Sequence, residues 1–164
     1  MKVNRDLEIT KEEFFDTLLQ DIADDITKNG NKPIKKKDLK KGFTYIYGAD
    51  KSLNLQIKFE VIDYIENTFY SSRRTSVNGT TSVSYSVTET DKGINVVFEQ
   101  ISPQTNKKNI VSRLFTETLY LGRMTDHLYD IQKKVLVKQG KYLAQDVSLF
   151  GTPTRKKHIK NKSN

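Results

Sequence analysis

The chain has 164 residues, no cysteine, no tryptophan and two histidines, and its 28 basic and 20 acidic residues give a net charge of +8. That length predicts one domain able to bury roughly 70% of its unfolded surface. The missing cysteines exclude disulfide frameworks, thiolate zinc sites, iron–sulfur clusters and a cysteine nucleophile, and two histidines are too few for a His-rich metal centre. No run approaches the ~20 apolar residues of a membrane helix, and the opening MKVNRDLEIT carries acids where a secretory signal needs an apolar stretch. The sequence therefore predicts a soluble, cytoplasmic protein without metal or cofactor.

Residues 2–10 alternate, with Val3, Leu7 and Ile9 on one face and Lys2, Asn4, Asp6 and Glu8 on the other, as in a half-buried strand. Thr10-Lys-Glu-Glu13 then reads as a capping box. The helix it opens places Phe14, Phe15, Leu18, Leu19, Ile22 and Ile26 at spacings of three and four, with Asp16, Asp21, Asp24 and Asp25 on other faces. Asn29-Gly30 is expected to end it with a left-handed cap. A basic connector over 31–41 leads into an aromatic strand, Phe43 to Tyr47. Leu53, Leu55, Ile57, Phe59 and Val61 alternate with polar residues and predict a strand with one wet face.

Thr68 to Thr75 is prone to strand formation but polar. Asn78-Gly79 is the preferred pair for a tight hairpin turn, and Val83, Tyr85 and Val87 alternate with serines beyond it. Asp91-Lys-Gly93 makes a second turn before Ile94, Val96 and Phe98. The last element is long: Leu114, Leu121, Leu128 and Val135 recur every seven residues, joined by Met124 and Ile131, and Phe115, Leu119 and Tyr129 widen the stripe. This is a helix packed on a sheet over about 112–138, with Gly140 kinking or ending it. The order predicts an α+β fold: a curved antiparallel sheet of about six strands gripping a long C-terminal helix, with a second helix after strand 1. The domain is expected over 1–150, followed by a basic, disordered tail over 151–164.

The stretch Leu7-Glu-Ile-Thr-Lys-Glu-Glu-Phe14-Phe15-Asp-Thr-Leu18-Leu19 resembles the opening of an uncharacterised bacterial family, domain of unknown function 3284. Lys40-Lys-Gly42-Phe-Thr-Tyr45 and the alternating strand to Val61 resemble it too, and the similarity extends over residues 2 to about 140. That family is similar to the START or birch-pollen-allergen superfamily (SRPBCC), the helix-grip fold. The resemblance implies a cavity between sheet and C-terminal helix that holds lipids, sterols, polyketides or other apolar molecules, and in some members cyclisation or hydration. It brings no catalytic residues to carry over.

Nine of the 16 Phe and Tyr residues lie between Phe43 and Phe98. If Tyr45, Tyr47, Phe59, Tyr85 and Phe98 face the last helix, they line a pocket with hydroxyls as orienting groups, and Met124, Leu128 and Ile131 complete it. The alternative is a filled core. Arg73 and Arg74 must face opposite ways. Arg74, sharing a face with Ser72 and Tyr70, is read as outward, which leaves Arg73 as the inward residue, in need of an anion.

An enzyme is not expected. There is no Gly-x-Ser-x-Gly elbow and no Gly-rich phosphate loop, and Asp21, Asp24 and Asp25 read as an acidic helix surface. His127 reads as a satisfied or exposed histidine and His158 as a solvated tail residue. Cyclase- or hydratase-like chemistry would have to use Arg73, His127 and Tyr85.

Charge is unevenly placed: Lys28 to Lys41 contributes +6, the stretch from Gly151 onward +5, and the remainder −3. Solvated surface lysines are the plain reading. The alternative is an interaction protein in which Lys35, Lys36, Lys37, Arg155, Lys156 and Lys157 engage nucleic acid or an acidic partner.

Overall fold

Period-two patterning builds the sheet. The computed structural model describes residues 1–48, 56–102 and 121–141 in full and 110–120 as backbone. It contains six strands, β1 (Lys2–Leu7), β2 (Thr44–Tyr47), β3 (Ile57–Ile65), β4 (Phe69–Ser76), β5 (Gly79–Thr90) and β6 (Gly93–Ile101). They form one curved antiparallel sheet in the order β1-β6-β5-β4-β3-β2. Its inner face is set by cross-strand apolar pairs, Val3 opposite Phe98, Tyr85 opposite Phe98 and Val87 opposite Val96, which is where sheets gain side-chain energy. Two helices cover that face, α1 (Lys11–Asn29) and α2 (Ile110–Lys138). No helix among the described residues is long and apolar enough to cross a membrane.

Each helix end has a visible cause. Thr10 Oγ1 accepts from Glu13 N–H at 3.2 Å while the Glu13 carboxylate accepts from Thr10 N–H at 3.0 Å, the expected capping box. Behind it Phe14, Phe15, Leu18, Leu19, Ala23 and Ile26 are buried. The C-terminal end departs from expectation. Gly30 is extended (φ −111°), not left-handed, and what demands glycine is space: a Cβ there would lie 2.7 Å from Ile26 O and 2.8 Å from the Tyr45 ring. The left-handed cap occurs instead at Gly140 (φ 68°). There Gly140 N–H donates to Val137 O and Lys141 N–H to Leu136 O, the paired bonds of a Schellman motif. Gly140 therefore ends α2.

Two details of the strands and one of α2 differ from the sequence reading. The described part of β3 begins at Ile57 and runs on to Ile65 through a bulge between Val61 and Asp63, which returns Tyr64 to the inner side opposite Tyr70. The β4–β5 hairpin turns on Val77-Asn78, one residue earlier than expected, and Gly79 (φ 114°) already pairs with Ser76. In α2 the stripe is buried at Leu128, Ile131 and Val135, whereas Leu121 is 38% and Tyr129 44% exposed. Leu53, Leu55, residues 103–109 and everything beyond Lys141, including the tail expected over 151–164, lie outside the described residues, as do the side chains of Leu114, Phe115 and Leu119.

Side chains on α2 tie it to both neighbours. Thr125 Oγ1 accepts from Arg5 of β1 at 3.2 Å, Gln132 Oε1 accepts from Glu8 N–H at 2.7 Å, and Lys134 donates to both Asp21 carboxylate oxygens of α1 at 2.7 Å.

Candidate functional site

Between the inner face of the sheet and the two helices lies a cavity of about 630 Å³. Strand alternation sends Ile57 and Phe59 of β3, Ser72 and Arg74 of β4, Val83 and Tyr85 of β5, and Phe98 of β6 into its wall. Leu18, Asp21, Ile22 and Asp25 come from α1, at the i, i+3, i+4, i+7 spacing that keeps them on one helix face. Arg123, Met124 and His127 come from α2. The exposed surface of the wall is mostly apolar although half of its residues are polar or charged, Ser76, Thr81 and Gln100 among them, and the cavity's volume lies within the ~300–1,000 Å³ that small-molecule sites occupy.

Two polar pairs stand out. Tyr85 Oη and His127 Nε2 lie 3.2 Å apart. Burial drives the Tyr85 phenol well above its ordinary range, with Tyr70 adding to the rise and Arg74 opposing it. Burial also lowers the His127 imidazole; Asp21 opposes that, and Lys134 reinforces it. Both groups are therefore uncharged near neutral pH. The second pair joins Arg74 to Asp25 at 2.9 Å, with the guanidinium carbon 5.8 Å from the centre of the Phe59 ring. Below this pair, Tyr70 is fully buried. Its hydroxyl finds no hydrogen-bond partner among the described residues, and Ser72 is the polar side chain beside it.

Of the residues singled out from the sequence, Phe59, Tyr85, Phe98 and Met124 meet at this cavity. Leu128 and Ile131 are wholly buried beside it in the core. Tyr45 and Tyr47 stack on each other with ring centres 6.3 Å apart. The Tyr45 hydroxyl is occupied elsewhere, accepting from Asn31 and Lys32 N–H at 3.1 Å each, so that it fixes the chain leaving α1.

The arginines are the reverse of the expectation. Arg73 lies on the outer face, 2.9 Å from Glu60, and Arg74 faces inward, opposite Phe59 and Thr81. Tyr70 and Ser72 do share a face with Arg74, but that face is the buried one. Asp21 and Asp25 were missed as site residues because they read as surface acids. The available signal was their spacing from Leu18 and Ile22, which puts them at the margin of the apolar stripe.

In the basic connector, Lys36 pairs with Asp16 and Lys41 with Asp63. Lys35 precedes the short turn of helix at Lys36–Asp38 and Lys37 lies within it. Arg155, Lys156 and Lys157 lie outside the described residues, as does His158. Among the described residues, no group of three or more His, Asp or Glu side chains converges as a metal site would require.

A family model described as "Domain of unknown function (DUF3284)" matches residues 1–121. No curated protein matches the sequence. Solved structures share the fold at low identity. Protein MLL2253 from Mesorhizobium loti is 16% identical with a TM-score of 0.55, the alignment covering 84% of this chain and 96% of that one. Ara h 8.0201 is 8% identical, also at 0.55, covering 84% and 97%. The di-domain ARO/CYC StfQ from the steffimycin biosynthetic pathway is 7% identical at 0.50, covering 87% of this chain and 51% of that one. The arrangement of sheet and C-terminal helix is thus the helix-grip fold.

Proposed function

We propose, from the premise that this chain belongs to the DUF3284 family, that it holds a small apolar or amphipathic molecule between the sheet and α2, without transforming it. The observation that carries this reading is the 630 Å³ space walled by Phe59, Val83 and Phe98 of the sheet and by Ile22 and Met124 of the two helices. The space opens to solvent beside Arg74 and Asp25, and its apolar wall gains free energy when an apolar body displaces the water there. The polar groups at the margin orient such a body.

Native mass spectrometry of the purified full chain tests the reading. A copurifying or added hydrophobic molecule should be retained under gentle ionisation and released on denaturation. The variant Val83→Trp, which fills the space from β5, should lose it while keeping the far-ultraviolet circular dichroism of the parent. A chain that carries nothing and takes up no hydrophobic dye would overturn the reading.

A further inference from the structure

Resting on that reading, we infer that the molecule held here carries a neutral hydrogen-bonding oxygen, a hydroxyl or ketone on a ring-sized apolar body, and that Tyr85 and His127 are the groups that read it. The argument is one of hydrogen-bond accounting. A neutral phenol and a neutral imidazole bring two protons, and their mutual contact at 3.2 Å uses one. If the phenol donates to Nε2, the Tyr85 oxygen keeps free lone pairs and accepts from a ligand hydroxyl. If Nε2–H donates to the phenol oxygen, the Tyr85 O–H is left to donate to a ligand carbonyl. In either state the pair has bonding capacity left over at the cavity wall.

Among the described residues the Tyr85 hydroxyl bonds only to His127. The Tyr85 ring is packed against Phe14, Phe98 and Tyr70, at centroid distances of 6.2, 4.9 and 6.5 Å. The Tyr70 hydroxyl beside it is itself unpaired among the described residues. Buried polar groups left unpaired are costly, so an oxygen that satisfies one is favoured over a bare hydrocarbon. A carboxylate is the wrong partner here. Asp21 lines the same cavity, and its cation, Lys134, is already bonded to both its oxygens; of the two arginines in the wall, Arg74 is bonded to Asp25 and Arg123 is exposed to solvent. The edge-on aromatic contact of Tyr85 with Phe98, at 63° between ring planes, and Phe59 on the neighbouring wall suit a flat ring better than a flexible chain.

Four probes of one shape separate the possibilities: naphthalene, 2-naphthol, 2-acetylnaphthalene and 2-naphthoate, measured by equilibrium dialysis against the full chain at pH 7.5. The hydroxyl or the ketone probe should bind at least about tenfold more tightly than naphthalene, the size expected when a buried group gains its missing partner, and naphthoate should bind no better than naphthalene. Which of the two oxygens wins reports which of the pair's two protonic states is populated. Tyr85→Phe keeps the ring and should reduce the advantage of the oxygen probes over naphthalene, measured on the same variant, to within about twofold; His127→Leu provides the same comparison from the helix side. Equal binding of all four, or preference for naphthoate, would overturn the inference while leaving the cavity reading standing. Binding of none, or binding that survives Val83→Trp, would overturn both.

Discussion

The Arg74 guanidinium lies 2.9 Å from the Asp25 carboxylate and above the Phe59 ring, joining the middle of the sheet to α1 at the margin of the cavity. Both side chains are nearly half exposed, 47% and 45%. Their attraction is therefore screened, and pairs of this kind contribute about 0–1 kcal/mol. Asp25→Asn should lower the stability measured by urea unfolding by no more than that. Arg74→Ala also removes the cation–π contact, worth about another 0.5–1 kcal/mol, and should cost more than Asp25→Asn. A loss above about 3 kcal/mol for Asp25→Asn would show that the pair is desolvated in solution and that this margin of the cavity is closed.

His127 makes stability depend on pH in a definite direction. It faces Tyr85 from β5 and Asp21 from α1, with Asp130 and Lys134 near it on its own helix. Burial, aided by Lys134, holds its pKa below the ordinary 6.5. Between that lowered value and 6.5 the unfolded chain binds a proton that the folded chain refuses. Stability must then rise with pH across this window, and fall as acid takes the solution below 6.5. Urea midpoints measured from pH 5 to pH 8 should show this slope in the parent chain and lose it in His127→Gln. An unchanged slope in the variant would place the titration elsewhere.

Much of the fold was legible because its signals are local. Phe59-Glu60-Val61 alternates and Thr10 stands three residues before Glu13, and no packing information is needed to read either. The parity of β4 was not legible. One face offers Phe69, Ser71 and Arg73 and the other Tyr70, Ser72 and Arg74, each with one aromatic, one serine and one arginine. Periodicity cannot choose between two such faces. The choice is made by neighbours, Phe59 on β3 and Tyr85 on β5, whose apolar faces fix which side of the sheet turns inward. The same limit applies to α2: a heptad identifies the stripe that is apolar but not how far the sheet extends beneath it, so Leu128 is wholly buried and Leu121 is not. The cavity depends on the gap between elements and leaves no local mark, apart from acids at the edge of the α1 stripe.

Two glycines should respond oppositely to the same substitution. At Gly93 (φ 144°), where β6 leaves the tight turn after β5, a Cβ would sit 2.2 Å from the Leu7 carbonyl oxygen of the neighbouring β1. Gly93→Ala must therefore move backbone as well as adopt a disfavoured conformation, and a cost of at least about 2 kcal/mol is expected. Gly122 lies within α2, exposed, with no atom of the described structure within 4 Å of the added Cβ. Gly122→Ala should stabilise by about 0.5–1 kcal/mol through helix propensity alone. Thermal unfolding of both variants checks the pair, and destabilisation by Gly122→Ala would mean that α2 is not helical there in solution.

The Thr10 and Glu13 capping box does more than start α1, because the Glu13 side chain also accepts from Gln139 at the far end of α2. One carboxylate thus links the first turn of one helix to the last turn of the other. Removing the cap hydroxyl with Thr10→Ala should cost about 1 kcal/mol. The Thr10 N–H bond, reinforced by Gln139, holds the Glu13 carboxyl below its ordinary 4.5, against a smaller opposing effect of burial. The folded state then prefers the ionised form. Stability from this source is fully present above pH 4.5 and is lost as acid carries the solution through the lowered value. Glu13→Gln keeps an oxygen acceptor for Thr10 N–H but has no charge to titrate. It should be less damaging than Thr10→Ala at pH 7 and should flatten the acid limb of the unfolding profile. An acid limb as steep in Glu13→Gln as in the parent would show that the folded state has no preference for the ionised Glu13 carboxylate.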